Sequence, residues 1–120
     1  MKEQDLLKAI AIYLDAIYFC DVNKLDQVFH PTASLFDVDN NEIFVDPIAN
    51  FREDVATRLS PASAKQSREE EIILIDFLST KCALVKLRLR AHHNIFVDHL
   101  SFIQNDQGDW KIVAKVWHLE

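Results

Sequence analysis

The stretch CALVKLRLRAHHNIFVDHLSFIQNDQGDWKIVAKVWH, residues 82–118, decides the fold. Apolar Val85, Leu87, Leu89 and Ala91 alternate with basic Lys86, Arg88 and Arg90, which is the period of a strand with one buried face. Reading His93-Asn94 as a two-residue turn sets Ala91 opposite Phe96, Leu89 opposite Asp98, Leu87 opposite Leu100 and Val85 opposite Phe102. Asp106-Gln107-Gly108 then reads as a three-residue loop, with Gly108 in the left-handed position of a bulge turn. That loop pairs Phe102 with Ile112, Leu100 with Ala114, Asp98 with Val116 and Phe96 with His118. One face of the three strands is apolar; the other carries Lys86, Arg88, Arg90, Lys111 and Lys115. A slip of one residue would bury both Lys111 and Lys115.

Two polar residues break the apolar face, Asp98 and His118. On neighbouring strands one diagonal apart, their backbones stand roughly 7–8 Å from each other, within side-chain reach. A carboxylate among Leu89, Leu100 and Val116 needs a partner, and an imidazole is a suitable one. The pair reads either as a self-satisfied structural contact or as a ligand-facing acid and base.

Working outward, Leu6, Ile10, Tyr13/Leu14 and Ile17 recur at helical spacing, which predicts an amphipathic helix over residues 4–19. A short helix follows at 23–29, capped by Asp21 or Asn23 and ended by His30-Pro31. Ala33–Val38 and Glu42–Val45 read as short strands joined by Asp39-Asn40-Asn41. Asp46-Pro47 reads as an N-cap followed by a first-turn proline, starting a third helix that runs to Leu59. Ser60–Glu70 is a polar loop, and strands are predicted over 71–78, 82–92, 95–104 and 109–118. The chain is thus read as one α+β domain over 1–120, with helices first and then a curved antiparallel sheet that they cover.

The composition agrees. Nearly half of the 120 residues are hydrophobic, including eight Phe and two Trp, enough for one core. The formal charge of −6 repels phosphate backbones and anionic membranes, so neither nucleic acid nor a membrane is the expected partner. No apolar run is long enough to span a bilayer, and the first residues lack a signal-peptide pattern, which predicts a cytoplasmic protein with Cys20 and Cys82 reduced. The chain's one glycine excludes a phosphate-binding glycine loop, and no nucleophile elbow or metal motif is present. His92, His93 and His99 do not converge as metal ligands must, so no metal and no cofactor is expected.

Several segments together resemble a known family. They are Tyr13-Leu14-Asp15-Ala16-Ile17-Tyr18, Leu25 through Phe29-His30-Pro31-Thr32-Ala33, Val97-Asp98-His99-Leu100-Ser101, and Trp110-Lys111-Ile112-Val113 through Lys115-Val116-Trp117-His118. Their succession resembles the nuclear transport factor 2-like (SnoaL-like) fold, and more narrowly the family labelled "Putative lumazine-binding". The resemblance implies a cone with a pocket between the first helix and the concave sheet, and a homodimer through the sheet. It implies no activity.

Three functions follow as candidates. The first is a binding domain for a small hydrophobic or cyclic molecule, its pocket lined from Tyr13, Phe36, Asp37, Phe51, Phe96, Asp98, Leu100 and His118. The second is an enzyme of isomerase, dehydratase or cyclase type, with Asp98 and His118 as acid and base and Tyr13 holding a developing oxyanion. The third is a dimerisation module whose cone is filled by its own side chains.

Overall fold

Leu6, Ile10, Tyr13 and Ile17, joined by the small Ala9 and Ala16, form one fully buried stripe on α1 (Lys2–Phe19). The structure, a computed structural model, describes residues 2–120. Asp21 caps α2 (Val22–Val28), its Oδ1 accepting from the backbone N–H of Asn23 at 3.0 Å and of Lys24 at 3.2 Å. The chain then enters β1 (Phe29–Asp39) directly, turns through Asn40 and Asn41 in left-handed conformations, and returns as β2 (Glu42–Pro47).

The cap expected at the next helix differs. Asp46 stays extended, paired with Leu35 across the β1–β2 ladder, and Pro47 takes the N-cap position of α3 (Ile48–Thr57) without a side-chain hydrogen bond. The helix starts one residue later than read, so Asp46 stands just ahead of the cap and its side chain lines the cavity. The helix ends at Thr57, two residues short of the expected Leu59, which is exposed.

Four strands complete the chain: β3 (Glu70–Ser79), β4 (Cys82–Ala91), β5 (Asn94–Gln104) and β6 (Trp110–Leu119). The six-stranded sheet has the order β2-β1-β6-β5-β4-β3, with every neighbouring pair antiparallel except β1 and β6, which run parallel. Register shifts in β1–β6, β3–β4 and β5–β6 curve it, as extra residues bend and twist a strand. The concave side carries the helices and the core. Among the described residues no helix is long and apolar enough to cross a membrane.

Both hairpins of the deciding stretch form, with two corrections. The β4–β5 turn is His92-His93, not His93-Asn94: Ala91 pairs with Asn94, Leu87 with Asp98 and Val85 with Leu100. His92 adopts φ 59°, and its backbone N–H and C=O are both held by the Gln66 side chain. The pairing moves by two residues, so each side chain keeps its expected face.

The second correction reverses faces. The three-residue loop is as read, with Gly108 at φ 87° and Phe102 paired with Ile112. Beyond Phe102 the register shifts, and Ser101 pairs with Ala114, Leu100 with Lys115, Asp98 with Trp117 and Phe96 with Leu119. Val113 is the extra residue of a bulge. Past it the alternation inverts, bringing Lys115 and Trp117 inward while Val116 and His118 face out.

Candidate functional site

The bulge sets up the chemistry of the concave face. Asp98, on the central strand β5, is 1 % exposed, and Lys115 beside it on β6 is 7 % exposed. Across from them Tyr13, on the buried stripe of α1, donates its hydroxyl hydrogen bond to Asp98 Oδ2 at 2.5 Å. Lys115 Nζ stands 3.8 Å from the same Oδ2, an ion-pair distance longer than a hydrogen bond. Its other near neighbours are ring faces, with the Phe51 centroid at 4.7 Å and the Tyr13 centroid at 5.3 Å. Asp98 Oδ1 is buried and, among the described residues, has no hydrogen-bond partner.

The electrostatics follow from that burial. Loss of water pushes the Lys115 ammonium below the ordinary lysine value; the Asp98 charge opposes the shift and the Arg58 guanidinium adds to it. The Tyr13 hydroxyl is held well above the ordinary tyrosine value, first by burial and then by the charge of Asp98 and the hydrogen bond to it. Tyr13 is therefore a fixed donor to Asp98.

These three side chains close the inner end of a cavity of about 340 Å³. Leu89 and Ala91 from β4, Phe96 from β5, Trp117 from β6 and Phe51 from α3 make its apolar wall. Asp46, Asp54 and Arg58 supply polar groups to the lining, and the Arg58 guanidinium lies 5.8 Å from the Phe51 centroid.

The structure brings together Tyr13, Phe51, Phe96 and Asp98 of the residues expected to line a pocket. Leu100 is on the right face but wholly buried in the core behind the cavity. His118 is exposed on the opposite face and pairs with Val97, so it cannot meet Asp98. The bulge puts Lys115 where the imidazole was expected. Phe36 points to the side opposite Leu35, and Leu35 lines the cavity in its place. Asp37 lies on the same side of β1 as Leu35 but does not reach the cavity; it borders a shallow groove with Val38, Ile43, Val116 and His118. The oxyanion role for Tyr13 also loses its basis, because the hydroxyl is spent on Asp98.

Lys115, Trp117 and Asp46 were missed as site residues. Lys115 was assigned to the basic outer stripe. What remains of that stripe is largely paired within the chain: Arg88 with Glu71 and Glu120, Arg90 with Glu69, and Lys111 with the Gln27 carbonyl. The acid at position 98 was itself the available signal, since a buried carboxylate calls for a cation as readily as for an imidazole.

A family model described as "Putative lumazine-binding" matches residues 1–118. No curated protein matches the sequence. Similar solved structures include an NTF2-like protein of unknown function from Shewanella baltica OS155, with TM-score 0.85 and 18% identity over 98% of this chain and 93% of that one. Another, from Silicibacter pomeroyi DSS-3, has TM-score 0.84 and 19% identity over 98% and 94% of the two chains. A ketosteroid isomerase-like protein from Erwinia carotovora atroseptica is similar at TM-score 0.70 and 12% identity, over 93% of this chain and 91% of that one. At such identities the likeness establishes the cone fold and nothing of the chemistry.

Proposed function

The chain belongs to the family described as "Putative lumazine-binding", and from that premise we propose that it binds a small ring compound carrying a carbonyl and an N–H side by side. The observation that supports this reading is the pair of unsatisfied groups at the inner end of the cavity. Among the described residues Asp98 Oδ1 is a buried acceptor without a donor, and Lys115 Nζ has the 3.8 Å ion pair to Oδ2 and ring faces for neighbours, with room for a closer acceptor. A lactam or imide edge answers both: its N–H donates to the carboxylate and its carbonyl accepts from the ammonium. Phe51, Phe96 and Trp117 offer faces for the ring. At about 340 Å³ the cavity lies at the small end of ligand pockets, which suits one or two fused rings. A cone plugged by its own side chains would leave no such space.

Lumazine, a fused-ring compound of this type, is the natural probe. Its binding is expected to quench the fluorescence of Trp117. Lys115→Met is expected to weaken binding by about ten-fold or more, the cost of one hydrogen bond to a charged group. His118→Ala, on the outer face, is expected to leave it unchanged. Equal affinity in the wild type and a folded Lys115→Met variant would remove the reading.

A homodimer through the outer sheet face belongs to the same proposal. Val38, Ile43, Val45 and Val116 are at least half exposed there, on three adjoining strands. With Arg88 and Arg90 paired inside the chain, this contact is apolar in character. Light scattering is expected to give twice the chain mass, and Ile43→Glu with Val116→Glu the mass of one chain; a wild-type monomer at tens of micromolar would exclude it.

A further inference from the structure

A primary amine facing an aromatic-walled cavity, held by a carboxylate only at a long 3.8 Å ion-pair distance, is a reactive arrangement as well as a binding one. We propose that Lys115 captures an aldehyde or ketone inside the cavity as an imine, with Asp98 handling the protons. The inference rests on the same cavity and the same two side chains as the binding reading, but asks of them a covalent step that does not require a lactam or imide ligand.

The geometry supplies each part. Nζ lies against the faces of Tyr13 and Phe51, and its 3.8 Å ion pair to Asp98 Oδ2 is long enough to let it turn toward a carbonyl carbon. Burial lowers the cost of passing from the resting ammonium to the neutral, nucleophilic amine, although the Asp98 charge holds the proton back. Three groups from other elements set its charge state: Asp98 on β5 opposes neutralisation, Arg58 after α3 promotes it, and Tyr13 on α1 engages the carboxylate from the other side. Asp98 Oδ1, without a partner, is the base at hand for the proton the ammonium sheds.

The steps balance without any further reagent. The nitrogen lone pair forms an N–C bond as the carbonyl π pair moves to oxygen, and a proton passes from nitrogen to that oxygen. The carbinolamine then loses its hydroxyl as water, with the proton returned by Asp98, and leaves a C=N bond whose nitrogen keeps its hydrogen, a protonated imine beside the restored Asp98 carboxylate. No electrons are gained or lost. Apolar walls favour this dehydration, because the imine is hydrolysed by the water they exclude.

Benzaldehyde with cyanoborohydride tests it. Hydride from the reductant fixes the imine as a benzylamine, which intact-mass and peptide mass spectrometry then locate. The expected result is an adduct on Lys115 that forms about ten-fold faster or more than on any other lysine, since the cavity holds aldehyde and amine together. Lys115→Arg keeps the charge and loses the adduct. Asp98→Asn slows it while the remaining lysines react as before. Adducts spread over the exposed lysines, with Lys115 unlabelled in protein whose fluorescence still responds to lumazine, would overturn the inference and leave the binding reading intact. Labelling of Lys115 in protein that ignores lumazine would do the reverse.

Discussion

Replacing Asp98 by leucine is expected to destabilise the fold by about 3–5 kcal/mol, and adding Lys115→Met is expected to restore most of that loss. Asp98 accepts the Tyr13 hydroxyl and faces the Lys115 ammonium, all three being buried. Leucine satisfies the packing but leaves a buried cation and a buried hydroxyl unanswered, and the unpaired charge is the costly one. Methionine keeps the stem volume of Lys115 and removes the charge, so the double variant resembles an ordinary apolar core. A domain of this size holds on the order of 5–15 kcal/mol in total, so the single change stands out clearly. Urea denaturation of the four proteins in the cycle measures the coupling, expected to be at least as large as the part of the loss that Lys115→Met restores. Additive losses would mean that Lys115 does not depend on Asp98 at all.

The same ion pair shows where sequence reading reached and where it stopped. Strand alternation placed Val85, Leu87, Leu89, Phe96, Asp98 and Leu100 on the buried face, and all but Phe96, which is half-buried at the cavity wall, are indeed buried. It did so even though the β4–β5 turn was misplaced, because an error of two residues in pairing preserves faces. The helix stripe through Tyr13 was legible for the same reason, a period matched to geometry. Val113 is where strand alternation ceases to report the face. A bulge adds one residue with no glycine or proline to mark it, and Ile112, Ala114 and Val116 make a plausible apolar face without it. The consequence was an imidazole where the protein has an amine. Asp46 differs: the Asp-Pro pattern does mark the start of α3, but the cap falls on Pro47, one residue on, which leaves the Asp46 carboxylate to line the cavity. Both differences are displacements of one residue that local pattern does not mark, and each puts a charged side chain, Lys115 or Asp46, on the cavity.

Alkaline pH offers a separate handle on the site, because two of its groups act in opposite senses. Lys115 titrates in the folded protein below the ordinary 10.5 of lysine, so just below that value the unfolded chain holds a proton that the folded chain has lost. Stability therefore rises with pH across that window and is constant in this term above 10.5. Tyr13 works the other way. Its folded hydroxyl keeps its proton well above the ordinary 10.0, while the unfolded chain releases it. From about pH 10 upward the unfolded state is favoured increasingly, by up to about 1.4 kcal/mol per pH unit, until the folded hydroxyl itself ionises. Above 10.5 only the Tyr13 loss remains of the two. The wild type is thus expected to lose stability steeply at the alkaline end, with tyrosinate absorbance from Tyr13 appearing together with the unfolding transition. Tyr13→Phe is expected to start lower at neutral pH, by about 1–3 kcal/mol for the donor taken from Asp98, and then to decline less steeply. The two stability curves should converge as pH rises. Parallel curves would show that Tyr13 is not the proton held by the fold, and the buried hydrogen bond to Asp98 would have to be given up with it.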